Sequence, residues 1–136
     1  METKLVAYLN FDGDCAEAMK FYNSVLGGEL SMQTFADAFP DTREGLRDRV
    51  LHARLTHNAL DLMASDTHPE HSRPFQAGNN VHLSIVGSDE TALSGYFSKL
   101  AEDGTITMPL KKQFWGDVFG MLTDKFGNHW MVNISA

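Results

Sequence analysis

The chain contains little cysteine and no long apolar run. Cys15 is the only cysteine among the 136 residues, so no disulfide can form within one chain. No stretch approaches the ~20 apolar residues that a membrane-spanning helix requires. The N-terminal residues lack the charged start and apolar core of a signal peptide. We therefore expect a cytoplasmic protein.

Positive charge is also scarce. The chain has 11 lysines and arginines against 18 aspartates and glutamates, which gives a formal net charge of −7 at pH 7. Such a chain is poorly suited to phosphate backbones and anionic lipid surfaces, so we expect neither nucleic acid nor a membrane as a partner. A phosphate-binding glycine loop is missing as well. The acidic charge would suit a cationic small molecule.

A strand followed by a helix organises the first part of the chain. Residues 5–11 are apolar and aromatic enough for a strand. Asp14 and Glu17 form a capping-box pattern, which predicts that a helix begins there, and Gly27 and Gly28 are expected to end it. The helix side chains expected to pack on the sheet are Cys15, Ala18, Met19, Phe21, Tyr22, Val25 and Leu26.

The same unit returns 75 residues later, counted from Asp14 to Asp89. A strand at 80–86 precedes a helix at 89–101, in which Phe97 and Leu100 are expected to be buried. Three strands follow each helix, so the order βαβββ occurs twice, and we interpret this as a duplication. The modules are about 1–66 and 79–136, joined by a linker at 67–78, in one α+β domain. The remaining strands are predicted at 29–35, 49–56, 59–65, 105–110, 115–123 and 128–134, with a loop at 36–48 that has a helical turn near 41–44.

Five motifs point to a known family. They are Tyr8-Leu-Asn-Phe-Asp-Gly, Phe21-Tyr22 with Leu26-Gly27-Gly28, Met108-Pro109-Leu110, Phe114-Trp115-Gly116 with Phe119-Gly120, and Asp124-Lys-Phe-Gly-Asn-His-Trp-Met. The chain resembles the vicinal-oxygen-chelate superfamily (glyoxalase, bleomycin resistance, extradiol dioxygenase), and within it the PhnB-like branch. The resemblance implies paired βαβββ modules forming two half-barrels around a small-molecule cleft, usually in a homodimer. It implies no single activity, since fold alone does not give function.

The resemblance also implies where a metal would lie. The superfamily takes one ligand from the first and the last strand of each module, and these positions carry over to Ala7, Asp61, His82 and Met131. Only Asp61 and His82 offer suitable donors, because alanine has none and a thioether is a poor ligand for a hard ion. A catalytic metal normally has about three protein ligands, with His52 the nearest further candidate. A divalent metal is therefore not favoured, and Asp61 and His82 are weak candidates.

Two functions remain open. The favoured hypothesis is a small-molecule-binding protein whose ligand lies in the cleft between the modules. The alternative is a glyoxalase-like lyase or isomerase, or a related metal-assisted enzyme, that uses Asp61 and His82, which could form an acid–base dyad. The side chains expected to contact a ligand are His52, Arg54, Ser84, Trp115 and Phe119, with Trp115 at the cleft mouth.

Two further features are interpreted as structural. The run His68-Pro69-Glu70-His71 resembles a metal-binding motif. It falls in a proline-containing loop rather than on a helix, so we interpret it as solvated linker. Cys15 is expected to pack inside its helix face and not to act as a nucleophile.

Overall fold

Two compact units make up the chain. The structure is a computed structural model and describes residues 2–136. The first unit ends at Gln76 and the second starts at Ala77, which places the boundary inside the segment 67–78. Within residues 2–136 there is no helix both long enough and apolar enough to cross a membrane.

The first unit contains one mixed sheet and two helices. Its elements are β1 (Ala7–Phe11), α1 (Cys15–Leu26), β2 (Glu29–Thr34), α2 (Phe35–Ala38), β3 (Val50–His57) and β4 (Leu60–Asp66). The strand order is β1-β4-β3-β2. β1 runs parallel to β4, and the other neighbours are antiparallel.

The second unit repeats this topology. Its elements are β5 (Leu83–Gly87), α3 (Glu90–Leu100), β6 (Thr105–Lys112), β7 (Val118–Thr123) and β8 (His129–Ile134). The strand order is β5-β8-β7-β6, with β5 parallel to β8. Helices α1 and α3 are thus the crossovers between the two edge strands of their sheets. The predicted α+β class with paired βαβββ modules is confirmed.

The helix faces are buried largely as predicted. Six of the seven α1 side chains expected on the sheet are buried. The prediction for Phe21 is wrong, since its side chain is only partly buried. Successive helical residues point about 100° apart, and Tyr22 takes the direction toward the sheet. Phe97 and Leu100 are buried in α3, together with Leu93.

Two loop predictions need correction. Helix α2 begins inside the predicted strand at 29–35 and occupies the start of the predicted loop, whereas no helix is assigned at 41–44. Thr34 and Asp37 close a capping box at its start: the Asp37 amide donates to Thr34 Oγ1 over 3.1 Å, and the Thr34 amide donates to Asp37 Oδ2 over 3.0 Å. In the second unit Trp115 lies in the turn before β7, not in the strand, because the Gly116 amide donates to the Gln113 carbonyl.

The glycines Gly28, after α1, and Gly104, after α3, have no room for a side chain. A Cβ atom built on Gly28 would lie 2.3 Å from the carbonyl oxygen of Thr56, and one on Gly104 would lie 2.3 Å from that of Thr123. Both distances are too short for any side chain. The backbone leaving each helix therefore passes directly against the third strand of its unit.

The N-terminus of α1 is capped from a distance. The predicted capping box is wrong, because the Asp14 side chain makes no cap hydrogen bond and its backbone is not in the extended conformation that a cap requires. Instead Asp66 Oδ1 accepts hydrogen bonds from the amides of Gly13 (2.8 Å) and Cys15 (3.1 Å). Asp66 Oδ2 accepts a third from the amide of Val50 (2.8 Å). One buried carboxylate thus joins β4, α1 and β3.

Replacing Asp66 by alanine should destabilise the chain far more than removing a local cap. We expect Asp66→Ala to lower the free energy of unfolding by about 3 kcal/mol or more, because three backbone N–H groups lose their acceptor. The matched control is Asp89→Ala, which removes an exposed cap whose Oδ1 accepts from the Ala92 amide and should cost about 1 kcal/mol. Urea denaturation followed by circular dichroism measures both. Equal losses would contradict the bridging role of Asp66.

Candidate functional site

One face of the first sheet packs on α1, and the opposite face carries polar side chains. Leu55 pairs with Leu62 in the β3–β4 register, and both are buried on the helix side. Because side chains alternate along a strand, Arg54 and Asp61 project from the other face. We call Tyr8, His52, Arg54 and Asp61 the polar face.

Asp61 is held by two cations. Arg54 donates from Nε to Asp61 Oδ1 over 3.1 Å and from Nη2 to Oδ2 over 2.9 Å. Lys4 Nζ lies 2.5 Å from the same Oδ2. The Asp61 side chain is only 7% exposed, against 43% for Arg54 and 57% for Lys4. A paired guanidinium and carboxylate of this kind fixes the direction of both groups.

This pairing determines the protonation of Asp61. Hydrogen bonds from Arg54, and next from Lys4, lower the pKa of its carboxyl from 3.8 to about 2. A general base works best when its pKa lies near the working pH. Asp61 is therefore fully ionised at neutral pH and is a weak proton acceptor.

A groove adjoins the polar face. It has a volume of about 480 Å³ and is lined by Glu29, Leu30, Ser31, Arg54 and Thr56. Among residues 2–136, the hydrogen bonds of the Arg54 side chain use Nε and Nη2. Nη1 is left as a donor on a cation that Asp61 already orients.

His52 and Tyr8 lie farther along the polar face. The Tyr8 hydroxyl is 3.3 Å from His52 Nδ1, and their ring centres are 6.0 Å apart. Ala7 pairs with Leu62 and so lies on the helix side, facing away from Asp61. The metal position carried over to Ala7 is therefore misplaced, and Tyr8 occupies the polar face instead.

The metal set implied by the resemblance does not fit these residues. Ala7 has no donor and faces the wrong way, and both oxygens of Asp61 already accept from cations. Met131 offers only a thioether. Of the four positions, His82 alone retains an available donor, which is too few for a catalytic metal.

In the second unit His82 lies beside another histidine. The rings of His82 and His129 are 5.4 Å apart between centres. His129 Nε2 is 3.0 Å from the carbonyl oxygen of Gly78, and its Nδ1 is 2.9 Å from the hydroxyl of Thr123. A carbonyl only accepts, so His129 Nε2 donates to Gly78. These two contacts fix the orientation of the His129 ring next to His82.

The other predicted ligand contacts of this unit lie on its sheet and in the turn before β7. Trp115 is 49% exposed, and its ring centre is 5.9 Å from that of Phe119. Ser84 is exposed and pairs with Met131 in the β5–β8 register. Their role in ligand binding stays a prediction. The same holds for the dyad, since Asp61 belongs to the first unit and His82 to the second.

The interpretations of Cys15 and of the segment around His68 can also be compared with the structure. Cys15 is fully buried, and burial raises its pKa to about 12, with smaller contributions from Asp66 and Asp14. It is a neutral thiol at physiological pH, as expected of a packed side chain. His68 is only 7% exposed, so the interpretation of its segment as solvated linker is wrong for this residue.

Comparison with known proteins identifies the family. The profile of the Glyoxalase/Bleomycin resistance protein/Dioxygenase superfamily matches residues 4–132. The chain belongs to this superfamily. The chain is 30% identical to Protein YjdN of Escherichia coli strain K12 in an alignment of 143 positions that covers 96% of this chain and 94% of that protein.

Two solved structures are similar to this chain over nearly its whole length. Protein PA1353 of Pseudomonas aeruginosa is 38% identical, with a TM-score of 0.88 over 98% of each chain. A PhnB protein of Bacillus cereus, described as a possible 3-demethylubiquinone-9 3-methyltransferase, is 30% identical, with a TM-score of 0.78 over 98% of this chain and 100% of that one. The narrower PhnB-like assignment is confirmed by this likeness.

Sequence reasoning missed Lys4, Tyr8 and His129. The pairing of Arg54 with Asp61 could have been found, because the β3–β4 hairpin places Arg54 opposite Met63, two residues from Asp61 on the same face. Lys4 precedes β1, and no sequence spacing connects it to β4. His129 has one partner, Thr123, opposite it at the end of β7, and its other partner, Gly78, in the segment before β5. No pattern predicts the contact with Gly78.

The pKa of Asp61 should depend on Arg54. A ¹³C NMR titration of the aspartate carboxyl groups is expected to give Asp61 a midpoint near 2. The pKa of Asp61 is lower in the folded state than in the unfolded chain, so ionised Asp61 stabilises the fold. This stabilisation is complete above pH 3.8 and is lost as the pH falls toward 2. In Arg54→Gln the midpoint should rise toward 3.8, with a smaller rise in Lys4→Gln. An unchanged midpoint in Arg54→Gln would rule out the assigned cause.

Proposed function

We propose that this chain is a small-molecule-binding protein, and that Arg54 provides the charged contact for an anionic or polar ligand in the groove of the first unit. The observation that carries the proposal is the pairing of Arg54 with Asp61, at 3.1 and 2.9 Å. It holds an exposed guanidinium in one direction and leaves Nη1 to donate. A preoriented donor loses less freedom when a ligand binds.

The local charge favours an anion over the cation expected from the net charge of the chain. Lys4 and Arg54 supply two positive charges around the single carboxylate of Asp61. Guanidinium groups match the geometry of carboxylates and of phosphate-type oxygens. Glu29 lies at the groove as well, so a ligand with both an acidic group and a hydrogen-bond donor would fit.

The geometry gives less support to catalysis by Asp61. To accept a proton or bind a metal, its carboxylate would have to leave both Arg54 and Lys4. The low pKa of about 2 also removes the driving force for proton transfer at neutral pH. The lyase or isomerase alternative would need other groups, and we do not extend the proposal to it.

A thermal-shift screen tests the proposed function. Small carboxylates, inorganic phosphate, sulfonates and matched organic cations are added to the wild-type chain, and the change in melting temperature is recorded. An acidic compound should stabilise the wild type, because binding only the folded state raises its apparent stability. In Arg54→Gln the shift should disappear. Arg73→Gln, which removes an exposed arginine far along the sequence from the groove residues, should retain it.

Two results would overturn the proposal. One is stabilisation by cations only. The other is an acidic compound whose shift survives in Arg54→Gln. Isothermal titration with that compound then decides between weak and absent binding in the variant, provided that circular dichroism shows Arg54→Gln to be folded.

A homodimer is part of the same proposal. Family resemblance implies one, and two edge strands carry exposed apolar side chains: Val86 on β5 is 66% exposed and Ile106 on β6 is 50% exposed. Exposed apolar edges tend to pair with another chain. Sedimentation velocity should show a dimer that Val86→Lys weakens. A monomer at every concentration would contradict the proposed homodimer.

A further inference from the structure

We propose that His68, Glu70 and His71 bind a borderline divalent cation such as Zn²⁺, at a site separate from the polar face. One ligand atom from each of these three side chains lies within 4.8 Å of the others. Two imidazoles and a carboxylate are a ligand set that zinc accepts, with water completing a tetrahedron. Magnesium and calcium prefer oxygen ligands alone, so the set favours zinc over both.

The His68 ring is held in place by its neighbours. It is 7% exposed, and its ring centre is 4.8 Å from that of Phe35 in α2 and 4.6 Å from that of His71. The two candidate imidazoles thus already lie against each other. A solvated linker would leave both rings free to rotate.

The backbone of the segment is also fixed. The amides of His71 and Ser72 donate to the carbonyl of His68 over 3.1 and 3.0 Å. The amide of His68 donates to Ser72 Oγ over 2.6 Å. Just before the turn, the Thr67 amide donates to the carbonyl of Phe11 in β1 over 2.8 Å. The turn that carries the three ligands is therefore tied to the sheet, which lowers the ordering cost of binding.

Binding requires small rearrangements at exposed groups. His68 Nδ1 accepts from the Glu70 amide over 3.1 Å. A metal at Nδ1 displaces this contact, and a metal at Nε2 moves the ring proton to Nδ1, so the Glu70 amide loses this acceptor in either case. Glu70 must leave Arg43, whose Nη1 lies 3.6 Å away in a pair that is 63% exposed on both sides. Tetrahedral zinc with bonds near 2.1 Å places ligand atoms roughly 3.4 Å apart. The exposed side chains of Glu70 and His71 can move this far.

The test is a Zn²⁺ titration of tag-free protein against a chromophoric chelator. We expect one Zn²⁺ per wild-type chain and little binding of Mg²⁺. His71→Ala and Glu70→Gln change exposed side chains, so neither should unfold the protein. Each should weaken Zn²⁺ binding by about tenfold or more, since altering even the surroundings of a metal ligand has effects of that size. His57→Ala removes a histidine outside the cluster and should leave binding unchanged.

A second measurement identifies the ligands. Co²⁺ in place of Zn²⁺ should give visible ligand-field absorption in the wild type, and this absorption should be lost in His71→Ala. The proposal is overturned if no Zn²⁺ binds at micromolar concentration, if His71→Ala and Glu70→Gln bind as tightly as the wild type, or if His57→Ala weakens binding equally. None of these variants alters Arg54 or the groove, so the outcome is independent of the proposed ligand.

Discussion

A single buried carboxylate holds the first unit together. Asp66 ends β4, yet its oxygens accept from backbone amides at the start of α1 and at the start of β3. Buried backbone donors need an acceptor, and the hydrogen bonds from Cys15 and Val50 are buried while that from Gly13 is part-buried. One side chain therefore ties the start of α1 to the ends of β3 and β4, in addition to the five residue pairs that align these two strands. His52, Arg54 and Asp61 of the polar face lie on β3 and β4, so Asp66 supports their placement as well.

Much of the fold could be predicted because local patterns specify it. The apolar positions of α1 recur at helical spacing, and the glycines after it end the helix, so its bounds and buried side chains follow from the sequence. Phe21 was the exception, because one aromatic side chain on the boundary of a helix face is decided by its neighbours. Asp14 matched the capping pattern in the sequence, but Asp66, which is far along the chain, accepts the hydrogen bonds at the start of α1 instead.

The site was harder to predict, since it depends on contacts between distant residues. The sequence singled out Asp61 as a weak metal candidate and a member of an acid–base dyad, but Lys4 and Arg54 hold it as a support for a guanidinium instead. For His68, the composition of the surrounding loop predicted a solvent-exposed side chain, whereas its ring is buried against Phe35. In both cases the residue was found from sequence and its chemical state was not, because that state is set by the neighbours that folding brings to it.

The lone cysteine gives the first unit a chemical property of its own. Cys15 lies fully buried in α1, and its high pKa keeps it protonated. A thiol reagent can reach it only when this helix detaches from the sheet, so the labelling rate under native conditions reports the free energy of that local opening. The second unit has no thiol and gives no signal. Local opening of the first unit can thus be followed by itself without any engineered probe.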